Sequence, residues 1–248
     1  LAASQSKSFK FPHNDLSALE GLLKRHCDKA QTLWIAVESV YSMDGDSAPL
    51  SDIYALAQRY DAYLIIDEAH GTGVHGEGGR GLSWDLISMN GYDRLITLHT
   101  CGKAIGVAGG LVCASADVID YMINTSRPFI YSTATMPLQA LLVQKSLEIL
   151  ATCEGDERRT QLSEICAEAK DLFGGFGSHI VPIILGEEAE AIRVADALQK
   201  EGFDIRAIRP PTVPAASSRL RLSLSSSLEK QDLRAFASSL SSVRSKAA

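Results

Sequence analysis

An acid, a histidine and a lysine hold the positions in this sequence best placed to do chemistry. Asp67-Glu68-Ala69-His70 comes directly after the apolar run Tyr63–Ile66. An acid at the end of a buried strand is partly desolvated, so it calls for a cationic or proton-bearing partner. Such an acid anchors a ring nitrogen or a metal; the plainer alternative is a solvent-exposed strand end. Thr100-Cys101-Gly102-Lys103-Ala104 follows a second apolar run, Leu95–Leu98. A lysine walled by Ala104, Ile105 and Val107 has its charged form disfavoured by desolvation, which suits Schiff-base chemistry. Its plainer alternative is a surface lysine in a turn. The segment is not a P-loop, because Thr97 stands at the first glycine position and Ala104 where Ser or Thr would bind magnesium.

Two other patterns carry less. Gly71-Thr72-Gly73-Val74-His75-Gly76 fits G-x-G-x-x-G, the dinucleotide fingerprint, which needs a helix to open inside the motif. Gly78, Gly79 and Gly81 follow instead, each costing a helix about 1 kcal/mol relative to Ala. A mobile loop is expected there, and a nicotinamide-binding reading would require a helix over Glu77–Trp84. Asp67, His70, His75, His99 and Cys101 form no standard zinc spacing, so no metal is expected. No G-x-S-x-G elbow occurs.

The elements that must position these residues read as α/β. Asn14 or Asp15 can cap a helix running to about His26, with Leu16, Leu19, Leu22 and Leu23 at helical spacing. Leu33–Val37 is a continuous apolar run suited to a strand covered on both faces, and a turn follows at Asp44-Gly45-Asp46. Ser51 opens an amphipathic helix before the strand Tyr63–Ile66, completing a β-α-β unit. Strands follow at Leu95–Leu98 and Leu111–Ala114, then helices around Val118–Met122 and Leu138–Leu150. Beyond Cys153 the pattern is a helix over Glu157–Phe173, a strand at Ile180–Leu185 and a helix over Ala189–Glu201. Strands at Phe203–Ile208 and Arg219–Leu224 and a final helix from Glu229 complete it. Strands interleaved with helices at both ends predict two α/β domains, residues 1–155 and 156–248.

Composition narrows the class. The 248 residues are 46% apolar and 22% charged, enough for a substantial core. A net charge of −6 gives no broad hold on phosphate backbones, so nucleic acid is not an expected partner. No apolar run reaches the roughly 20 residues a membrane span needs. Five cysteines outside any C-x-x-C spacing suggest free thiols in a reducing, cytoplasmic compartment. The tail Ser245-Lys246-Ala247-Ala248 is not a peroxisomal address.

Six stretches, in order along nearly the whole chain, resemble the α-oxoamine synthases among fold-type I pyridoxal-phosphate enzymes. They are Phe11–Asp15, Val40–Leu50, Asp67–Gly81, Thr100–Gly106, Ile130–Thr133 and Ile208–Leu224. The resemblance implies a partial large-domain sheet flanked by helices plus a smaller C-terminal α/β domain. It implies pyridoxal 5'-phosphate as cofactor, held covalently by Lys103, which also moves protons at the substrate Cα. Asp67 would pair with the pyridinium nitrogen. His70 and Ser42 would lie near the ring's phenolic oxygen, and Thr100 would bond the phosphate. Ser132 and Thr133 would reach a neighbouring subunit's phosphate site, implying a homodimer. Arg221 would grip the amino-acid carboxylate with two parallel bonds, and Arg209 is a second choice; either can instead be a rim salt bridge.

Asp46–Leu50 and Arg209–Pro214 point to the branch that condenses L-alanine with an acyl-CoA, pimeloyl-CoA, with loss of CO2. Branches that use glycine or serine, and an inactive fragment, remain the alternatives. The resemblance also implies a further stretch before Leu1, carrying a Gly-rich phosphate cradle, a ring-stacking histidine and substrate-entry residues. Without it, a strand such as Leu33–Val37 is expected to keep one apolar face open, and this chain alone to bind cofactor weakly.

Overall fold

The computed structural model describes residues 6–245; the expectations attached to Leu1 and to Lys246–Ala248 lie outside the described residues. The chain divides into two compact units. One holds the residues up to Val40 with Ser47–Leu150, the other Tyr41–Asp46 with the residues from Ala151 onward.

The first unit runs α1 (Leu16–His26), β1 (Leu33–Glu38), α2 (Leu50–Arg59), β2 (Ala62–Asp67), α3 (Trp84–Asn90), β3 (Leu95–Thr100) and β4 (Gly110–Cys113). Then come α4 (Ala116–Thr125), α5 (Arg127–Ile130) and α6 (Pro137–Leu150). Its sheet has the order β1-β2-β3-β4, the first three parallel and β4 antiparallel to β3. The α1 start follows its sequence signal: the Asp15 carboxylate accepts from Ala18 N at 2.9 Å, satisfying an otherwise unpaired helix donor. Spacing also set α2, which buries Ile53, Leu56 and Ala57. Sequence periodicity did not show α3 and α5, which at seven and four residues are too short to display it. No helix among the described residues is long and apolar enough to cross a membrane.

The faces of β1 are unequal. Ile35 and Val37 are buried, while Trp34 is 51% exposed and stacks on Tyr63 with ring centroids 4.8 Å apart. Coverage on both faces is therefore not what this strand has; one apolar face stays open. On β2 the alternation is strict, with Ala62, Leu64 and Ile66 buried and Tyr63, Ile65 and Asp67 partly exposed.

That alternation carries one residue past the strand. Glu68 N donates to Leu98 O at 2.8 Å, extending the ladder, and its side chain is fully buried. A carboxylate there must be bonded on both oxygens. Oε2 accepts from Ser39 Oγ and Oε1 from Ser83 N, each at 2.6 Å. The glycines of the expected mobile loop serve this packing. A Cβ on Gly71 would lie 1.8 Å from Glu68 Oε2, and one on Gly81, at φ +95°, 2.5 Å from Glu68 Cδ. Only a three-residue 3-10 turn forms at Glu77–Gly79, and α3 opens at Trp84, so the helix that a dinucleotide site requires over Glu77–Trp84 is absent.

Beside Glu68, Thr72 Oγ1 donates to Glu68 O at 2.8 Å, so its lone pair accepts from His99 Nδ1 at 2.7 Å. His99 Nε2 then accepts from Thr97 Oγ1 at 2.9 Å. Burial holds the imidazoles of His99 and His75 below their usual value, against the opposing pull of the Glu68 carboxylate and, at His99, of Asp67.

The second unit holds α7 (Cys153–Phe173), β5 (Ile180–Gly186), α8 (Glu188–Lys200), β6 (Ala207–Ile208), β7 (Ser218–Ser223) and α9 (Lys230–Ser245). Its antiparallel sheet has the order β5-β7-β6. Val181, Val194, Leu198, Leu220 and Phe236 form the core with Ile165 and Ala169. A strand over Phe203–Ile208 was expected, yet β6 has two residues. Phe203 N bonds back to Leu198 O, and Gln199 Nε2 bonds Ile205 O at 2.7 Å, so the end of α8 takes up the groups a ladder would use. Phe203 meanwhile packs edge-on against Phe236, ring centroids 5.3 Å apart.

Removing the buried carboxylate leaves Ser83 N without its acceptor. Glu68→Ala is expected to lower the unfolding free energy by about 2–4 kcal/mol in urea titrations, and Glu68→Gln by less, because its amide keeps an acceptor for Ser83 N. A pH series gives a second check. Below the ordinary value of 6.5 the unfolded chain takes up protons at His75 and His99 that the folded chain refuses, so stability falls as the pH drops through that window. His99→Gln should flatten the fall in melting temperature between about pH 7.5 and 5.5.

Candidate functional site

The carboxyl ends of β2 and β3 lie side by side, with Asp67 paired to Leu98 in register. In an open parallel sheet this is where ligands bind. Asp67 ends β2 with its side chain on the face opposite Glu68, and its Oδ1 accepts from Ala69 N at 2.8 Å. That bond starts the turn carrying His70. Thr100 ends β3, and the chain reverses into β4 through a loop closed by Cys101 N to Gly109 O (2.9 Å) and Val107 N to Cys101 O (2.7 Å). Cys101 and Ile105 are buried and pin this loop. Burial pushes the Cys101 thiol up, which makes it an apolar plug.

Lys103 lies at the tip, its Nζ 2.7 Å from His70 Nε2. An ammonium has only donors, so Nε2 of His70 is the acceptor. The apolar enclosure expected around this lysine is not what forms. Lys103 and Ala104 are exposed, and of the three expected walls only Ile105 is buried, because it turns inward as the loop's anchor. The amine is defined by an imidazole instead.

An open recess of about 300 Å³ lies at these strand ends. Asp67 and Ala69 form one side, Leu98–Thr100 the next, and Gly110–Val112 the far wall. A carboxylate and a hydroxyl set in apolar walls suit a small flat molecule with a cationic edge and an anionic one. Lys103 and His70 are not among its walls; they follow three residues after Thr100 and Asp67 respectively. The structure thus brings Asp67, Thr100, Lys103 and His70 to two adjacent strand ends. Ser132 and Thr133 are exposed in the segment after α5, and no hydrogen bond among those described joins them to the Asp67–Lys103 group.

In the second unit, Ser42 and Arg221 meet. Arg221 Nε donates to Ser42 O at 2.6 Å, and Nη1 donates to Ser223 Oγ at 2.6 Å. Arg209 is exposed and lies 3.8 Å from the Glu188 carboxylate. Two participants were missed by sequence reasoning, Glu68 and His99. The signal for Glu68 was available: in an alternating strand, the second of two adjacent acids must face the covered side. His99 entered only as a metal-ligand candidate; its bond to Thr97 is local, two residues back on the same strand, while its bond to Thr72 joins segments that only folding brings together.

Residues 1–240 match the family described as aminotransferase class I and II. The 8-amino-7-oxononanoate synthase of Herminiimonas arsenicoxydans is 40% identical over 238 residues, covering 93% of this chain and 61% of that protein. A solved 8-amino-7-oxononanoate synthase from Francisella tularensis is 25% identical at a TM-score of 0.81, over 98% of this chain and 71% of that one. A solved serine palmitoyltransferase from S. paucimobilis, with bound PLP-myriocin, is 25% identical at a TM-score of 0.82, over 93% and 59%. The chain spans about three fifths of the length of the curated relatives it matches. The architecture is the fold-type I arrangement that the resemblance implied, a mixed sheet flanked by helices. With the family pattern running through residues 1–240 and relatives of this identity, the chain belongs to the aminotransferase class I and II family.

Proposed function

We propose that this chain is the cofactor-anchoring and small-domain portion of a pyridoxal-phosphate acyltransferase of the 8-amino-7-oxononanoate synthase type. The reaction is condensation of L-alanine with pimeloyl-CoA, with release of CoA and CO2. The names of the curated relatives support the reaction. The observation that carries the cofactor is the placement of Asp67 and the Lys103–His70 pair on adjacent strand ends, beside a recess that Asp67 and Thr100 line.

Pyridoxal 5'-phosphate bound there supplies an electron sink for charge developing at the amino-acid Cα. The chain's own residues do the rest. Asp67 holds a positive charge on the ring nitrogen by Coulomb attraction. Thr100 offers its hydroxyl to the phosphate. Lys103 anchors the cofactor and carries the proton to and from Cα, and His70, as acceptor to Nζ, orients that amine. Arg221 of the second unit takes the amino-acid carboxylate, with Arg209 as second choice, and Ser42 serves the ring's phenolic oxygen. Ser132 and Thr133 serve the phosphate site of a second copy in a homodimer. The first unit is then part of the cofactor-binding domain and the second the small domain. A nicotinamide site is disfavoured by the missing helix over Glu77–Trp84.

Borohydride reduction with pyridoxal phosphate followed by peptide mapping tests the anchor. The label is expected on Lys103 and should vanish in Lys103→Ala; a label on any other lysine overturns the assignment. For this chain alone, an absorbance titration with the cofactor should show weak binding and little alanine-dependent turnover. Tight binding with full turnover would contradict that expectation.

A further inference from the structure

Arg219 lies on β7 two residues before Arg221, so the two share the face opposite the core residues Leu220 and Leu222. That face carries the turn Tyr41–Asp46, which belongs to the same unit. Arg219 is only 5% exposed. Its Nη1 donates to Met43 O at 3.1 Å and to Asp44 Oδ1 at 2.6 Å, and its Nε donates to Ser217 O at 3.1 Å. A buried guanidinium is tolerated only when it is paired and bonded in this way.

The turn is pinned from a second side. Gly45, at φ +75°, sits so close to β5 that a Cβ would fall 2.1 Å from Ile180 O. Within the turn, Tyr41 N bonds Asp46 O at 2.8 Å and Gly45 N bonds Tyr41 O at 2.9 Å. Ser42, immediately before the residues Arg219 clamps, offers the carbonyl that receives Arg221 Nε at 2.6 Å. The plane of the Arg221 guanidinium is fixed by two bonds, this one and that of Nη1 to Ser223 Oγ at 2.6 Å, and the first of them moves with Ser42. Ser42 is joined through the backbone to Met43 and Asp44, and Arg219 holds those two.

We propose that Arg219 is a positioning residue for amino-acid recognition: by clamping Met43 and Asp44 it sets the Ser42 carbonyl that orients the Arg221 guanidinium. This rests on the reading of Arg221 as the carboxylate grip. Lysine cannot replace Arg219, because a single ammonium lacks the planar fork that reaches Met43 O, Asp44 Oδ1 and Ser217 O together. Two parallel bonds from Arg221 to a carboxylate need that guanidinium held in one plane, so loosening the clamp weakens the grip without touching the ligand.

The test is the exchange of the Arg221 Nε proton with water, followed by nitrogen-15 NMR of the full chain, the signal being identified by its loss in Arg221→Lys. Arg219→Lys should speed this exchange by about tenfold while backbone amides of β5 and β7 keep their protection. An Arg221 proton that exchanges equally fast in wild type and Arg219→Lys, even with a lowered melting temperature, overturns the proposal. If Arg219→Lys does not fold, Asp44→Asn carries the same test, since it keeps an acceptor but loses the charge. Faster exchange supports the clamp, and unchanged exchange overturns it. L-alanine affinity of the chain held at saturating pyridoxal 5'-phosphate separates the two readings. Arg219→Lys and Arg221→Lys should each weaken it by about tenfold, and the double variant no further than Arg221→Lys alone. If Arg221→Lys leaves alanine affinity unchanged, the carboxylate reading fails while proton exchange still decides the clamp.

Discussion

The end of β2 divides two neighbouring carboxylates between the two sides of one sheet, and the arrangement of the first unit depends on that division. Asp67 faces the open side, where it lines the recess. Glu68, one residue on, is fully buried and bonded on both oxygens. Swapping their directions would turn the shorter Asp67 carboxylate toward the covered side, one methylene short of the reach with which Glu68 meets Ser39 Oγ and Ser83 N, so strand parity is under physical constraint here. Glu68 also fixes how the chain leaves the sheet, because Gly71 and Gly81 close around it at distances no side chain allows. The turn bearing His70 is thus set from beneath by Glu68 and from within by the Asp67–Ala69 bond.

The same logic of a buried partner fixing an exposed reactive group recurs on the neighbouring strand and in the second unit. Lys103 is exposed, but Cys101 and Ile105 hold its loop from the core. Arg221 is half-buried and bonded to a turn that Arg219 clamps. A lysine or arginine side chain carries much rotamer entropy, so a site built on it needs such rigid supports close behind it.

Much of this was legible in the sequence because it lives in short-range pattern. The apolar runs Leu33–Val37, Tyr63–Ile66 and Leu95–Leu98 became strands, and the Asp15 cap and the spacing of Ile53, Leu56 and Ala57 set their helices. The failures have physical causes. The short helices α3 and α5 are too brief to show a period. The Phe203–Ile208 strand lost its ladder to bonds with the end of α8. The lysine's apolar walls did not form, because an Ala-x-x-Val spacing cannot say which side chain turns inward. Asp67, His70, Thr100 and Lys103 were visible as types at strand ends. The Lys103–His70 contact and the Thr72–His99 bond depend on how the segment after β2 meets β3, which no local pattern encodes, whereas the His99–Thr97 bond is local to β3.

On the proposed reading, the Asp67 carboxylate serves the ring nitrogen of the same small molecule that Lys103 anchors. Calorimetric titration of pyridoxal 5'-phosphate into wild type and Asp67→Asn compares the two directly. Affinity is expected to be at least about tenfold weaker in the variant, on the order of 1.4 kcal/mol, with the fold intact by circular dichroism. Equal affinity in the two proteins would contradict it.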